Sequence, residues 1–144
     1  LSVLFGPANI NLKELFGSIE TIAVIGASSN PYRTSNHITK YLVDQGFEVI
    51  PVNPNESNVL GLKSYPSIFD IPQDKSVDVM NVFRNKMYTD KVVDDILTWS
   101  NDRNQKPVIW TQLDVSTESA KKRAEESGLT YIKNRCIMVD HRSI

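Results

Sequence analysis

The chain has one cysteine among its 144 residues, which excludes an internal disulfide and any cysteine-built metal cluster. Histidine is equally scarce: His37 and His141 stand far apart with no companion cysteines, so no metal-ligand spacing can be drawn. No apolar run approaches the roughly 18 residues that a membrane span requires. Residues 1–20 lack the basic start and long apolar stretch of a signal peptide, and a first residue of Leu rather than Met predicts that the natural start lies upstream. Basic excess is missing too. Sixteen Lys and Arg against 17 Asp and Glu leave a net charge of −1, which offers no general attraction to nucleic acid or an anionic membrane. Glycine is sparse, at six residues, and neither G-x-G-x-x-G nor G-x-x-x-x-G-K-[ST] can be assembled from them. These absences predict a protein of the reducing cytoplasm whose ligand is recognised by local geometry and a few arginines.

What is present is a core. Hydrophobic residues make up 40% of the chain and charged ones 23%, proportions of a globular domain of ordinary size. Strand-like and helix-like segments alternate, without repeats, low-complexity tracts or linkers. A short helix carrying Leu12, Leu15 and Phe16 on one face belongs to an N-terminal helical extension, residues 1–20, ahead of a domain over 21–144. Strand one is expected at 21–26 and strand two at 47–52, closed by Pro51 and Pro54. Strands three to five are expected at 77–83, 108–111 and 129–132. Between them, Ile38, Tyr41 and Leu42 mark a helix at 35–45 that Gly46 would stop. Ser67 to Pro72 suggests a brief helical turn. Thr89 is placed to cap a helix bearing Val92, Val93, Ile96 and Leu97, and Ser116 or Thr117 to cap one that ends at Gly128.

Five strands of buried type, each followed by a helix or a turn, argue a doubly wound parallel sheet in three layers. Right-handed crossovers then bring the carboxyl ends of all strands to one rim, where ligands bind at the point of strand-order reversal. That rim would collect Gly26, Ala27, Ser28, Asn53, Pro54, Phe83, Arg84, Gln112, Arg135 and Cys136. The first turn, Gly26-Ala27-Ser28-Ser29-Asn30-Pro31, joins a buried strand to a helix through small residues. Such a turn aims backbone N–H groups and a helix dipole at an anion, so a phosphate-bearing ligand is expected. A plain NAD site is disfavoured: Ser28 and Pro31 stand at the later glycine positions, and strand two ends Val52-Asn53-Pro54 with no carboxylate for a ribose. A phospho-acceptor receiver is disfavoured as well, because Asp78 sits at the start of strand three. Ser28 has no evident base, so no nucleophilic triad is recognisable.

Taken together, Ile22–Ser28, Pro31, Val49–Pro54, Gly61–Tyr65, Val77–Val79, Trp110-Thr111-Gln112 and Arg135–Val139 resemble the small stand-alone CoA-binding proteins, themselves similar to the CoA-binding domain of the succinyl-CoA synthetase α subunit. The resemblance runs over residues 20–141. It implies a Rossmann-like fold binding coenzyme A or an acyl-CoA, usually with no assigned catalysis. It further implies that Gly26, Ala27 and Ser28 cradle CoA phosphates, with Pro31, Arg33 and Ser35 in the same loop and helix start. Asn53 and Pro54 would flank the nucleotide; Asn55 stands where family members often carry Lys. Phe83 and Arg84 would shape the groove. Trp110 and Gln112 match a W-x-Q motif bordering the pantetheine arm, with Asp114 in place of the usual glycine. Cys136, beside Arg135, would lie near the pantetheine thiol and could form a mixed disulfide with it. In the synthetase a phosphorylated histidine on a further domain carries the chemistry, and these residues match no such domain, so no ligase activity is implied. The expectation is a CoA-binding module without catalysis of its own. An NAD(H)- or nucleotide-dependent enzyme, or the nucleotide half of one, is the alternative. Nothing demands a homodimer, though a sheet edge or the first helix could form one.

Overall fold

The computed structural model describes residues 10–144, so residues 1–9 of the expected extension lie outside it. Asn11 opens α1 (Leu12–Ser18) by accepting the Glu14 N–H at 3.0 Å, and the helix buries Leu12 and Phe16. Strand β1 (Thr21–Ile25) is buried along its whole length. Helix α2 (Thr34–Asp44) stops where Gly46 takes φ +94°; Phe47 N–H then reaches Leu42 O at 3.2 Å and Gly46 N–H reaches Val43 O at 3.0 Å. That pair of bonds is a Schellman end, and only glycine takes the left-handed position without cost.

Pro51 does not close the second strand but lies within it, in β2 (Glu48–Val52). It is tolerated because β2 is an edge strand and its missing N–H faces outward, where Tyr65 N–H donates to Pro51 O at 3.1 Å. The following loop holds an unforeseen hairpin, β3 (Asn58–Val59) and β4 (Leu62–Lys63). Leu60 and Gly61 turn it with φ of 53° and 78°, both positive as a two-residue hairpin turn of type I′ requires. The expected brief turn is a 3₁₀ turn at Ile68–Asp70, boxed by Ser67 and Asp70. After β5 (Val79–Val82) a second 3₁₀ turn leads into α3 (Thr89–Arg103). Thr89 is not its cap: it is the first helical residue, and its hydroxyl donates to Val115 O. Strand β6 (Val108–Thr111) precedes α4 (Glu118–Glu126), whose cap is Thr117. Strand β7 (Tyr131–Ile132) is followed by α5 (Ile137–Arg142), a helix the sequence pattern did not suggest.

Among the described residues the main sheet has five parallel strands in the order β2-β1-β5-β6-β7. Alternate residues of each strand face opposite helical layers. Ala23, Ile25, Met80 and Val82 pack with Val93, Ile96 and Trp99 of α3 and Ala120 and Ala124 of α4. Ile22, Val24, Val79 and Trp110 pack with Phe16 of α1, Ile38 and Leu42 of α2 and Ile137 of α5. The result is the doubly wound, Rossmann-like α/β fold in three layers. The order reverses between β1 and β5, because β2 lies on one side of β1 and all later strands of the sheet on the other.

Candidate functional site

The loop from β1 to α2 begins at Gly26, the residue the reversal point requires. Its φ is +94°, and a Cβ there would stand 3.1 Å from the carbonyl carbon of Phe83, just past β5. Glycine is therefore dictated twice, by backbone conformation and by the close approach of the neighbouring strand. Gly26 N–H continues the ladder to Val52 O at 2.8 Å, after which the chain leaves the sheet. From there its donors open toward the rim. The N–H groups of Ala27, Ser28, Thr34 and Ser35 have no acceptor among the described residues, and α2 has no side-chain cap at Arg33. Ser28 Oγ accepts the Asn30 N–H at 3.0 Å, and Asn36 Nδ2 holds Ser28 O at 2.9 Å, so the loop is folded back on itself and braced by its own helix. Pro31 and Arg33 are exposed at its mouth, while Ser35 is buried in the first turn of α2.

The loop after β2 is knit to this one. Asn53 Nδ2 donates to Ala27 O at 2.8 Å and its Oδ1 accepts Asn55 N–H at 2.8 Å, which commits the side chain to positioning both loops. A second tie was not visible in the strand-end pattern. Glu56 accepts the Ser29 N–H at 2.5 Å through one carboxylate oxygen and the Ser29 hydroxyl at 2.8 Å through the other. These two bonds, the backbone one foremost, hold the Glu56 carboxyl below the usual carboxylate range. Glu56 lies four positions past the last residue of β2, which is itself no carboxylate. Asn53-Pro54-Asn55 separates it from the strand end, so strand periodicity alone does not mark it.

Pro54 and Arg84 meet on the α3 side of the reversal point. They line a cavity of about 80 Å³ with Ile25, Val52, Ile68, Val92 and Asp95. Arg84 also lies over the Tyr88 ring, its guanidinium 4.7 Å from the ring centroid. Phe83 is half-buried and packs on the opposite core.

The remaining candidates lie further along the sheet. Trp110 is fully buried, 5.7 Å from the Phe16 ring, and its indole N–H donates to Arg135 O at 2.8 Å. Gln112 is 5% exposed, and its Oε1 accepts from Asn81 Nδ2 at 3.1 Å and from Ile137 N–H at 3.0 Å. The W-x-Q residues hence anchor β6 to the start of α5. Arg135 is bidentate to Asp140, at 2.7 and 2.8 Å, which raises the guanidinium pKa further and matches its charge locally. Cys136 is half-buried at the start of α5. Asp114 takes φ +66°, the conformation a glycine would adopt there freely, and its N–H donates to Asn134 Oδ1 at 2.8 Å. The structure therefore gathers Gly26, Ala27, Ser28, Pro31, Arg33, Asn53, Pro54, Phe83 and Arg84 around the ends of β1, β2 and β5, and leaves Gln112, Arg135 and Cys136 beside β6 and β7. Among the described residues no group of His, Cys, Asp and Glu could hold a metal ion, and no helix is long and apolar enough to cross a membrane.

Residues 20–142 match a family model described as a CoA binding domain. The chain is 36% identical over 135 residues to an uncharacterized protein, YneT, of Bacillus subtilis, covering 94% of this chain and 95% of that one. It is 30% identical over 115 residues to the alpha subunit of acetate–CoA ligase (ADP-forming) II of Pyrococcus furiosus; the match takes in 79% of this chain but only 24% of the subunit. Among solved structures, a hypothetical protein of Pyrococcus horikoshii OT3 superposes with a TM-score of 0.82 at 36% identity, over 91% of this chain and 87% of that one.

Proposed function

Since the chain belongs to the CoA binding domain family, we propose that it binds coenzyme A or an acyl-CoA as a small single-domain module and performs no chemistry of its own. The observation that carries this reading is the β1–α2 loop: a forced glycine followed by unpaired N–H donors at the sheet's reversal point, with Arg33 exposed at the mouth. The pyrophosphate would lie on the N–H groups of Ala27, Ser28, Thr34 and Ser35, with Arg33 adding a charge-assisted bond. The cavity beside Pro54, apolar on its Ile25, Val52 and Val92 side, would border one edge of the base, with Arg84 beside it. Phe83 would border the path of the pantetheine arm toward the ends of β6 and β7. Gln112, Trp110, Arg135 and Asn53 support this site by positioning the loops, since their polar atoms are already engaged within the protein.

Calorimetric titration with CoA, acetyl-CoA, NAD⁺ and NADH tests this. Saturable binding of CoA or acetyl-CoA is expected, with Arg33→Ala weakening it about fivefold to tenfold through one lost charge-assisted bond. Tight NADH binding with no CoA binding would instead favour the dinucleotide-enzyme reading.

A further inference from the structure

In sites of this architecture a carboxylate just beyond the second strand reads the ribose of an adenine nucleotide, and a phosphate on that ribose needs a cation in its place. Here the carboxylate is Glu56, fixed against the first turn by both the N–H and the hydroxyl of Ser29. A carboxylate offers about four lone-pair sites, so these two bonds leave about two for a ribose diol. The segment 53–57, Asn-Pro-Asn-Glu-Ser, contains no basic residue and carries one negative charge. Of the basic side chains on this side of the sheet, Arg33 stands exposed at the loop mouth, where the pyrophosphate would engage it, Arg84 is stacked on Tyr88, and Lys63 lies 5.2 Å from the centre of the Tyr65 ring.

We propose that Glu56 is the ribose-reading residue of this site and that it selects ligands built on adenosine diphosphate with free ribose hydroxyls over those bearing a 3′-phosphate. A 3′-phosphate would place two negative charges beside a carboxylate that Ser29 holds in place. The inference rests on the placement of the phosphate loop proposed above, and within the CoA reading it states that the 3′-phosphate weakens binding. Dephospho-CoA, ADP and NAD⁺ share the chemistry that Glu56 would accept, and they differ in what lies beyond the diphosphate.

The test compares CoA with dephospho-CoA, and ADP with NAD⁺, on the wild-type chain and on Glu56→Gln and Ser29→Ala. Dephospho-CoA should bind the wild type about tenfold more tightly than CoA, a like-charge penalty of about 1.4 kcal/mol. Glu56→Gln should close that gap by gaining affinity for CoA. Ser29→Ala loosens the tie and keeps the charge, so it should retain the preference. Tighter binding of CoA than dephospho-CoA by the wild type would overturn the proposal. So would an unchanged ratio in Glu56→Gln, or equal loss of the preference in both variants, which would mean that the tie and not the charge decides. Binding of none of the four would refute the phosphate-loop reading and this inference with it. Among the accepted ligands, NAD⁺ bound more tightly than ADP would identify contacts to the nicotinamide half, and dephospho-CoA bound more tightly than ADP contacts to the pantetheine arm; either result agrees with the proposal.

Discussion

Gly26 and Gln112 illustrate opposite degrees of legibility at single positions. A glycine directly after four buried apolar residues marks a strand–helix turn in any sequence of this class, and its φ of +94° and the 3.1 Å approach to Phe83 are the physical reasons for it. Gly26→Ala should therefore destabilise the fold by about 1–3 kcal/mol, from left-handed strain and displacement of the β5 end. A thermal denaturation midpoint lowered by several degrees would show this; an unchanged midpoint would mean that the loop yields. Gln112 was equally conspicuous in sequence, but a polar residue at a strand end looks the same whether it meets a ligand or another buried dipole. The structure spends it on Asn81 and Ile137. Gln112→Leu should cost about 1–3 kcal/mol, because the buried Ile137 N–H loses its acceptor and Asn81 Nδ2 keeps only the longer bond to Trp110 O. It should also leave intrinsic CoA affinity within about twofold at temperatures where the variant is folded. A stable Gln112→Leu that no longer binds CoA would restore Gln112 to the ligand's side. Glu56 was the least legible residue, since nothing in the chain's periodicity tells which loop a carboxylate four residues past a strand will reach.

Legibility among elements follows length and punctuation. Buried strands and helices with apolar faces, such as α2 and α3, declared themselves, and so did the short β7; the two-residue strands β3 and β4 and the six-residue α5 did not, for they present less than two periods of any pattern. The β3–β4 hairpin had only Gly61 as a mark, because Leu60 is an unusual residue for a positive φ. Helix α5 carries His141 into a cage formed by α1, α2 and the start of β2. The imidazole meets the rings of Phe16, Tyr41 and Phe47 edge-on at 5.1–5.5 Å, and Tyr41 Oη lies 2.6 Å from Nδ1. Glu20 and Glu48 line the groove beside it, and Arg142 follows it on the same helix. Burial pushes the His141 pKa below its ordinary 6.5. The neutral form is thus favoured by folding. The stability this confers is complete above pH 6.5 and is lost as pH falls through the folded value, since the unfolded chain takes up the proton first. The depressed pKa values of Glu48, Glu56 and Asp90 act below the ordinary carboxylate range, leaving the window just under 6.5 to His141. Denaturation midpoints between pH 7 and pH 5 should fall in the wild type and fall less in His141→Phe. Parallel profiles would show that the cage does not discriminate against the imidazolium.

For the molecule as a whole, the alternation of strands and helices was enough to give the layers, and right-handed crossovers were enough to give one shared rim. Strand order adds what alternation cannot: it puts the reversal between β1 and β5, and so sets Gly26 and Arg84 nearer to it than Gln112 and Cys136. Cys136 sits two strands from that point and beside an arginine already paired with Asp140. With a net charge of −1, the overall field offers no general attraction to anions, so the proposed anionic ligand would be drawn by oriented donors. The most direct test of this account is the map of backbone amide chemical shifts on addition of CoA to the isotope-labelled protein. Saturable shifts should concentrate at Gly26–Ser29, Thr34, Ser35, Asn55 and Arg84. Saturable shifts confined to the far end of the sheet, where α3 and α4 terminate, or none at all, would contradict it.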